Sequence, residues 1–316
     1  MRVGSRPISD AGTARAREDD LVTGPLVSVL TPSLGQARWL GDNLDSVERQ
    51  TYDRLEHVVI DGNSTDGSVE LLVGRSRPGL SWLSEPDRGQ SHALNKAFVR
   101  STGEIIGWLN SDDAYFGPTV VEDVVRIFEA DPDLAVVYGH ALLVNAEGLV
   151  LQTIWVPPFD STLLRLHDFI VQPAAFIRRS SVGAQLVDES FDYTMDYELW
   201  LRLSVGQRFR RMDRILAIDR HHGARKSYAM ADVGRSDHAR LERRYGVAHG
   251  PIGTVARKTW KIVSRLIGTT VIPAAINEPV VFHAVRDGRA RLLVRQLATF
   301  RASMATGDVP HEQKDG

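Results

Sequence analysis

Glu104-Ile105-Ile106-Gly107-Trp108-Leu109-Asn110-Ser111-Asp112-Asp113 is an apolar run that ends abruptly in a small polar turn carrying adjacent carboxylates. Its length and content read as one buried strand. Acids just past the end of such a strand are costly unless something cationic waits there. A divalent metal is the obvious partner, because hard cations take carboxylate oxygens and leave room for a phosphate-bearing ligand opposite.

Working outward, the same pairing of strand and polar turn recurs. Leu26 to Thr31 is an apolar run ending at Pro32, and Trp39, Leu40, Asn43, Leu44 and Val47 follow with helical spacing. Glu56 to Ile60 runs into Asp61-Gly62-Asn63-Ser64-Thr65-Asp66-Gly67, where Ser64 or Thr65 is placed to cap a helix whose apolar face holds Val69, Leu72 and Val73. A strand (Leu80 to Leu83), a helix (Ser91 to Val99), the strand to Leu109, a helix (Thr119 to Ala130) and a strand (Leu134 to Tyr138) complete the series. Alternating strands and helices predict an α/β fold, a mainly parallel sheet flanked by helices. Ligands in such sheets bind outside the carboxyl ends of the strands. The turns at 31–33, 61–66, 85–90 and 110–113 all belong to that edge.

Beyond Gly139 the rhythm changes. A hairpin is expected around Asn145 to Gly148, then a short helix, a strand at Ala174 to Ile177, and a helix at Tyr197 to Val205 with Leu199, Trp200 and Leu203 inward. A strand at Ile215 to Ile218 leads into Asp219-Arg220-His221-His222, and residues 229–245 form an amphipathic helix.

The 316 residues suffice for one large or two small domains, and 43% hydrophobic with 25% charged residues is a globular composition. A net charge of −2 gives no case for nucleic-acid binding. The absence of cysteine excludes disulfide frameworks, thiolate metal sites and cysteine nucleophiles. Residues 1–24 lack the apolar core of a signal peptide and read as a disordered lead-in. The most apolar window, Ile262 to Val285, is interrupted by Arg265, Pro273, Asn277, Glu278 and Pro279, so no membrane span is expected. Residues 251–301 hold nine Lys/Arg against two acids, which is either a solvated helical face or a contact for anionic lipid.

No G-x-G-x-x-G follows the first strand, no G-x-x-x-x-G-K-[ST] is present, and there is no G-x-S-x-G elbow. Nicotinamide enzymes, P-loop NTPases and α/β-hydrolases are therefore disfavoured, and a metal is the remaining route to phosphate. Each acid also has a plainer reading. Asp112 is a possible turn or N-cap residue, Asp61 sits in a generic Asp-Gly turn, and Asp196 falls where helix starts favour acids. The alternative for Asp196 is a general base facing the cleft. His222, at a strand end, is either structural or a metal ligand.

Taken together these segments resemble an inverting family 2 glycosyltransferase with the GT-A fold, of the bacterial polysaccharide or cell-envelope type. The likeness rests on Val27-Ser28-Val29-Leu30-Thr31-Pro32-Ser33, Gln50-Thr51-Tyr52, Val59 to Gly67, Ser84-Glu85-Pro86-Asp87-Arg88-Gly89-Gln90-Ser91, Leu94-Asn95-Lys96 and Thr102-Gly103-Glu104. It extends through Leu109 to Asp113, Asp196-Tyr197-Glu198-Leu199-Trp200-Leu201-Arg202, and His222 with Lys226-Ser227. The resemblance implies a GT-A domain over residues 25–228, with a helical, basic extension over 229–316.

It further implies that Thr31, Pro32 and Ser33 line a nucleoside pocket and that Asp61 hydrogen-bonds the base. Asp87 and Gly89 would border the donor and acceptor cleft, with Ser111 in the donor-binding set. Asp112 matches the acid that holds Mg²⁺ or Mn²⁺ against the diphosphate, His222 matches the histidine that completes that site, and Asp196 matches the catalytic base. Two positions depart from the pattern: Asn110 stands where relatives often carry an acid, and Met195 where Glu is frequent.

The implied activity is metal-dependent transfer of a sugar, with inversion, from a nucleoside-diphosphate sugar to a saccharide or lipid-linked hydroxyl. The implied place is the cytoplasm, with peripheral contact at the inner face of an anionic membrane, in cell-surface polysaccharide or glycolipid synthesis. Two alternatives share the sheet: a catalytically weak sugar-nucleotide-binding scaffold, and a sugar nucleotidyltransferase. The latter wants a glycine-rich loop bearing Arg and Lys after the first strand, and Thr31 to Gln36 is not one.

Overall fold

The structure, a computed structural model, describes residues 24–223 and 231–247 together with Val255, Lys258, Thr259 and Ile262. The lead-in over 1–23, the segment with Arg225, Lys226 and Ser227, and most of the basic extension lie outside the described residues.

Four strands form a parallel half-sheet: β1 (Val27–Ser33), β2 (Leu55–Asp61), β3 (Leu80–Ser84) and β4 (Ile105–Trp108), ordered β3-β2-β1-β4. Helices α1 (Ala37–Glu48), α2 (Ser68–Gly74) and α3 (Gln90–Arg100) make the crossovers. β1 is buried along its whole length, which is why it reads as a continuous apolar run. Its side chains alternate between two cores. Leu30 packs with Ala93, Leu94, Ala97 and Phe98 of α3 on one face. Val27 and Val29 pack with Val121, Val124 and Phe128 of α4 (Val120–Ala130) on the other. Leu94 is fully buried, so truncating it to Ala should cost about 2–5 kcal/mol.

The second half of the sheet departs from a simple parallel continuation. β8 (Ala175–Arg178) inserts antiparallel between β4 and β6 (Leu134–Asn145). β9 (Arg208–His221) then runs parallel to β6, and a two-residue strand β5 (Ala114–Tyr115) pairs antiparallel with β9. The expected hairpin is present, with β7 (Val150–Ile154) antiparallel to β6. β6 and β9 extend well past their expected apolar cores, because they pair with each other along almost their full lengths. α5 (Ser161–Leu166), a 3-10 turn (Gln172–Ala174), α6 (Met195–Leu203) and α7 (Ala231–Tyr245) complete the described elements. Among the described residues no helix is long and apolar enough to cross a membrane.

Two local expectations are corrected. α2 is not capped by Ser64 or Thr65: its N-cap is Gly67, and Asp66 accepts from the Ser68 N–H (3.2 Å) and hydroxyl (2.6 Å) instead. Ser64 is used by Asp61. Val73 is exposed, and the buried side of α2 is Leu72 with Leu71 beside it. Leu199, Trp200 and Leu203 of α6 are buried as their spacing predicts.

Candidate active site

A cleft of about 880 Å³ opens over the carboxyl ends of β1 and β4. Pro32, Ser33, Asp87, Gly89, Ser111, Asp112 and Asp196 all line it. Thr31 and Asp61 do not. Thr31 is fully buried beneath the floor and donates its hydroxyl proton to the Leu109 carbonyl (2.8 Å). Its oxygen therefore accepts from Nε2–H of His57 (2.9 Å). Burial depresses the His57 pKa to about 3, so this ring stays neutral. Asp61 is fully buried as well. It accepts from the Ser64 N–H (2.8 Å), the Ser64 hydroxyl (2.5 Å) and the Ser84 hydroxyl (2.7 Å), and so shapes the loop after β2. Both side chains are satisfied inside the fold, which leaves the lining at this edge to Pro32 and Ser33.

The turn after β4 is held by a network centred on Asn110. Its side-chain oxygen accepts from Trp108 Nε1 (2.8 Å) and Gln90 Nε2 (2.8 Å), while Nδ2 donates to Gln172 Oε1 (2.7 Å) and Asp113 Oδ2 (3.2 Å). An amide has both donors and acceptors, and an aspartate there could not make the last two bonds. From α1, Asn43 Nδ2 donates to the carbonyls of Asn110 (2.8 Å) and Asp113 (3.2 Å). Arg220 of β9 is 3% exposed; its N–H donates to Asp113 Oδ1 (3.0 Å), its Nε to the Asp112 carbonyl (3.0 Å) and its guanidinium to Asp42 (2.8 Å). Both acids line the cleft, but both Asp113 carboxylate oxygens are engaged by Asn110 and the Arg220 N–H, whereas Asp112 has one side-chain hydrogen bond, to His222.

His222 Nε2 lies 2.9 Å from Asp112 Oδ2. The imidazole stacks on Trp39 of α1 at 3.9 Å between ring centroids, which fixes its plane. Its Nδ1 is buried with no hydrogen-bond partner among the described residues, and so is the Ser33 hydroxyl on the cleft wall. The Asp112 carboxylate and the His222 imidazole are donor types that would hold a divalent cation. No group of three or more His, Asp or Glu among the described residues forms a closed cage. Two protein ligands with the rest supplied by water and phosphate is the usual arrangement for a magnesium-type site, so the residues fit such an ion.

Gly89 precedes α3 with φ +114°, a backbone conformation that side chains strain. Its N–H donates to Asp87 Oδ1 (2.8 Å), closing the loop between β3 and α3. Opposite, Asp196 stands in the first turn of α6 and accepts from the Tyr197 N–H (2.8 Å). Tyr197 donates its hydroxyl to the Leu164 carbonyl (2.5 Å), tying α6 to the end of α5. Glu198 is fully buried and paired with Arg202 and Tyr245, so it is structural. Met195 fills the apolar core beneath the cleft.

Several site residues were missed by the sequence reading. Asp168 lies in Leu166-His167-Asp168-Phe169-Ile170-Val171 and lines the cleft. Burial first, then the charge of Asp196, pushes its carboxyl well above the ordinary carboxylate range. A lone acid in an apolar run was the available signal. Trp39 and Asn43 read only as core positions of a helix, and Arg220 as part of a basic strand end.

Residues 28–181 match the family described as Glycosyl transferase family 2. An uncharacterised glycosyltransferase of Mycobacterium tuberculosis is 35% identical over 124 residues, covering 39% of this chain and 47% of that protein. The chondroitin synthase of Pasteurella multocida is 29% identical over 221 residues, covering 68% of this chain and 22% of the synthase. The chain thus spans less than half the length of either relative. Among solved structures, the mannosyltransferase PcManGT from Pyrobaculum calidifontis, in complex with GDP-Man and Mn²⁺, superposes with a TM-score of 0.52 at 19% identity, over 90% of this chain and 87% of that one. S. aureus TarS 1–349 with UDP-GlcNAc superposes with a TM-score of 0.55 at 14% identity, over 90% and 93%. At these identities the structural likeness speaks for the fold.

Proposed function

Since this chain carries a family 2 glycosyltransferase domain on the GT-A fold, we propose that it is a metal-dependent inverting transferase, moving a sugar from a nucleoside-diphosphate sugar to a hydroxyl acceptor. The observation that carries the reading is the charge of the cleft. Seven aspartates line it (Asp87, Asp112, Asp113, Asp168, Asp192, Asp196 and Asp219), and no Lys or Arg is among the described lining residues. A diphosphate would be repelled from such a wall unless a cation enters with it. Asp112 and His222 are the residues that would hold the cation. When bound, it supplies charge neutralisation of the departing diphosphate.

The remaining chemistry belongs to the protein. Pro32 and Ser33 flank the nucleoside side, where the unpartnered Ser33 hydroxyl can bond a polar ligand atom. Across the cleft, Asp196 takes the proton from the acceptor hydroxyl as its oxygen bonds to the anomeric carbon. The bond from that carbon to the diphosphate oxygen breaks on the opposite face, and its electron pair leaves with the nucleoside diphosphate. A single displacement inverts the configuration. Asp168, favoured in its protonated form, leaves the first negative charge of the pair on Asp196.

The similarity to chondroitin and hyaluronan synthases supports a saccharide or lipid-linked acceptor in cell-surface polysaccharide synthesis. The basic composition of 251–301 supports peripheral contact with the cytoplasmic face of a membrane. Binding to phosphatidylserine vesicles that weakens with salt is the expected result, and no binding at any salt would remove that part of the reading.

The direct test is a panel of UDP- and GDP-sugars with Mn²⁺ or Mg²⁺, analysed for products. Release of nucleoside diphosphate with sugar transfer is expected. Release of pyrophosphate would indicate a nucleotidyltransferase, and binding without turnover a scaffold.

A further inference from the structure

We propose that Asp237, in α7, is a positioning residue for Asp196, so that α7 is a working part of the active site. The inference rests on the reading of Asp196 as the base. Asp237 is fully buried. Its Oδ2 accepts from three successive backbone N–H groups, those of Asp192 (3.1 Å), Tyr193 (2.8 Å) and Thr194 (3.2 Å). Successive amides converging on one point form an anion-binding concavity, here filled by a carboxylate from a helix more than 40 residues downstream. Its other oxygen pairs with Arg240, so the buried charge is compensated.

The three amides belong to the segment that runs directly into α6. Thr194 is the N-cap of that helix and makes no side-chain capping bond, so no side-chain cap of its own fixes where the helix starts. Asp196 is the second residue of α6. Residues 192–197 all line the cleft, and a displacement of this segment moves the carboxylate.

α7 grips both sides of that segment. Arg240 lies over the Phe191 ring (4.4 Å) and donates to the Ser190 carbonyl, and Arg244 pairs with Asp188 (2.9 Å). Gly234 packs against the Tyr193 ring, where an added Cβ would come within 3.1 Å. Beyond Asp196, the Tyr245 hydroxyl bonds Glu198 (2.6 Å). All of these ties come from a helix outside the matched segment 28–181. Asp237 is the one that reaches the backbone immediately before the base.

The test compares the parent with D237A, D237N, D196N and D196N/D237A in the full chain. The readouts are turnover of the nucleotide sugar that gives most nucleoside diphosphate, binding of UDP or GDP with Mn²⁺, and amide hydrogen exchange of residues 190–198. A displacement of about 1 Å in a catalytic group costs on the order of 10²-fold. D237A is therefore expected to lower kcat about that much, with nucleotide affinity and donor KM within about twofold of the parent and faster exchange at 192–194. D237N keeps the volume and one acceptor oxygen, and should lie between the two; it carries the test should D237A not fold. In the D196N background, D237A should cost little more, because the two act through one group.

Parent-like kcat in both Asp237 variants overturns the proposal, as does an equal loss of nucleotide binding and turnover. If D196N itself turns over like the parent, the base assignment fails, and a kcat loss confined to the Asp237 variants would not rescue it.

Discussion

Nε2 of His222 lies 2.9 Å from Oδ2 of Asp112, joining residues 110 apart in the chain. Trp39 holds the ring from one side, and Arg220, Asn43 and Asn110 hold the turn that presents the carboxylate. A pair so constrained would need little rearrangement to hold the proposed cation.

D112N and H222A should each weaken the Mn²⁺-dependent gain in UDP or GDP binding by tenfold or more, on the order of the 10–100-fold effects seen around metal ligands. Isothermal titration with and without Mn²⁺ measures this. Equal metal-dependent binding in the parent and D112N would remove Asp112 from the cation site.

Arg220 ties β9 to the 112–113 turn and to Asp42, and its side chain is 4% exposed. R220M keeps the apolar stem but removes the guanidinium's bonds to Asp42 and to the Asp112 carbonyl. It should lose about 3 kcal/mol in urea unfolding, the usual consequence of removing one member of a buried pair. A change below about 0.5 kcal/mol would place Arg220 among ordinary surface positions.

How much of this could be read in advance divides along physical lines. β1 to β4 were legible because each is a local apolar run with its own turn, and pattern alone locates such a unit. The cleft-edge positions of Asp112 and Asp196 were legible because both stand at element ends, and the structure sets His222 beside Asp112. The insertion of β8 between β4 and β6 was not, since pairing partners far apart leave no local mark. For the same reason Asp237 went unnoticed: its meaning lies in three amides of a segment it meets only in three dimensions. Thr31 and Asp61 are fully buried and hydrogen-bonded inside the fold, and a strand-end position in sequence does not show such partners.

The family resemblance implies an acid at the position of Asn110, and placing one there is instructive. N110D would lose the donors to Gln172 and Asp113 and set a second carboxylate against Asp113 Oδ2, now 3.2 Å from an amide nitrogen. It should destabilise the fold by about 1–3 kcal/mol without tightening Mn²⁺ binding. Thermal unfolding and Mn²⁺ titration together check it; tighter metal binding at undiminished stability would contradict the network described here.

Asp168 gives a pH signature. In the unfolded chain it ionises near pH 4; in the fold, burial and then Asp196 hold its proton to higher pH. Its contribution to stability is therefore full below about pH 4 and lost as pH rises toward the folded value. Asn cannot ionise, so D168N should become more stable relative to the parent as pH increases, with the difference vanishing below about pH 4. Urea unfolding across that range measures it, and a difference that shrinks with rising pH would have the wrong sign.

On the proposed function, Asp196 removes the acceptor proton in a cleft where Asp112 and His222 would hold the cation against the donor's diphosphate. The most direct measurement is nucleoside-diphosphate release by D196N beside the parent, at saturating Mn²⁺ and donor, with binding of the nucleotide measured in parallel. Unchanged Mn²⁺–nucleotide affinity and a fall in turnover of about 10²-fold or more are expected. Turnover in D196N equal to that of the parent would contradict it.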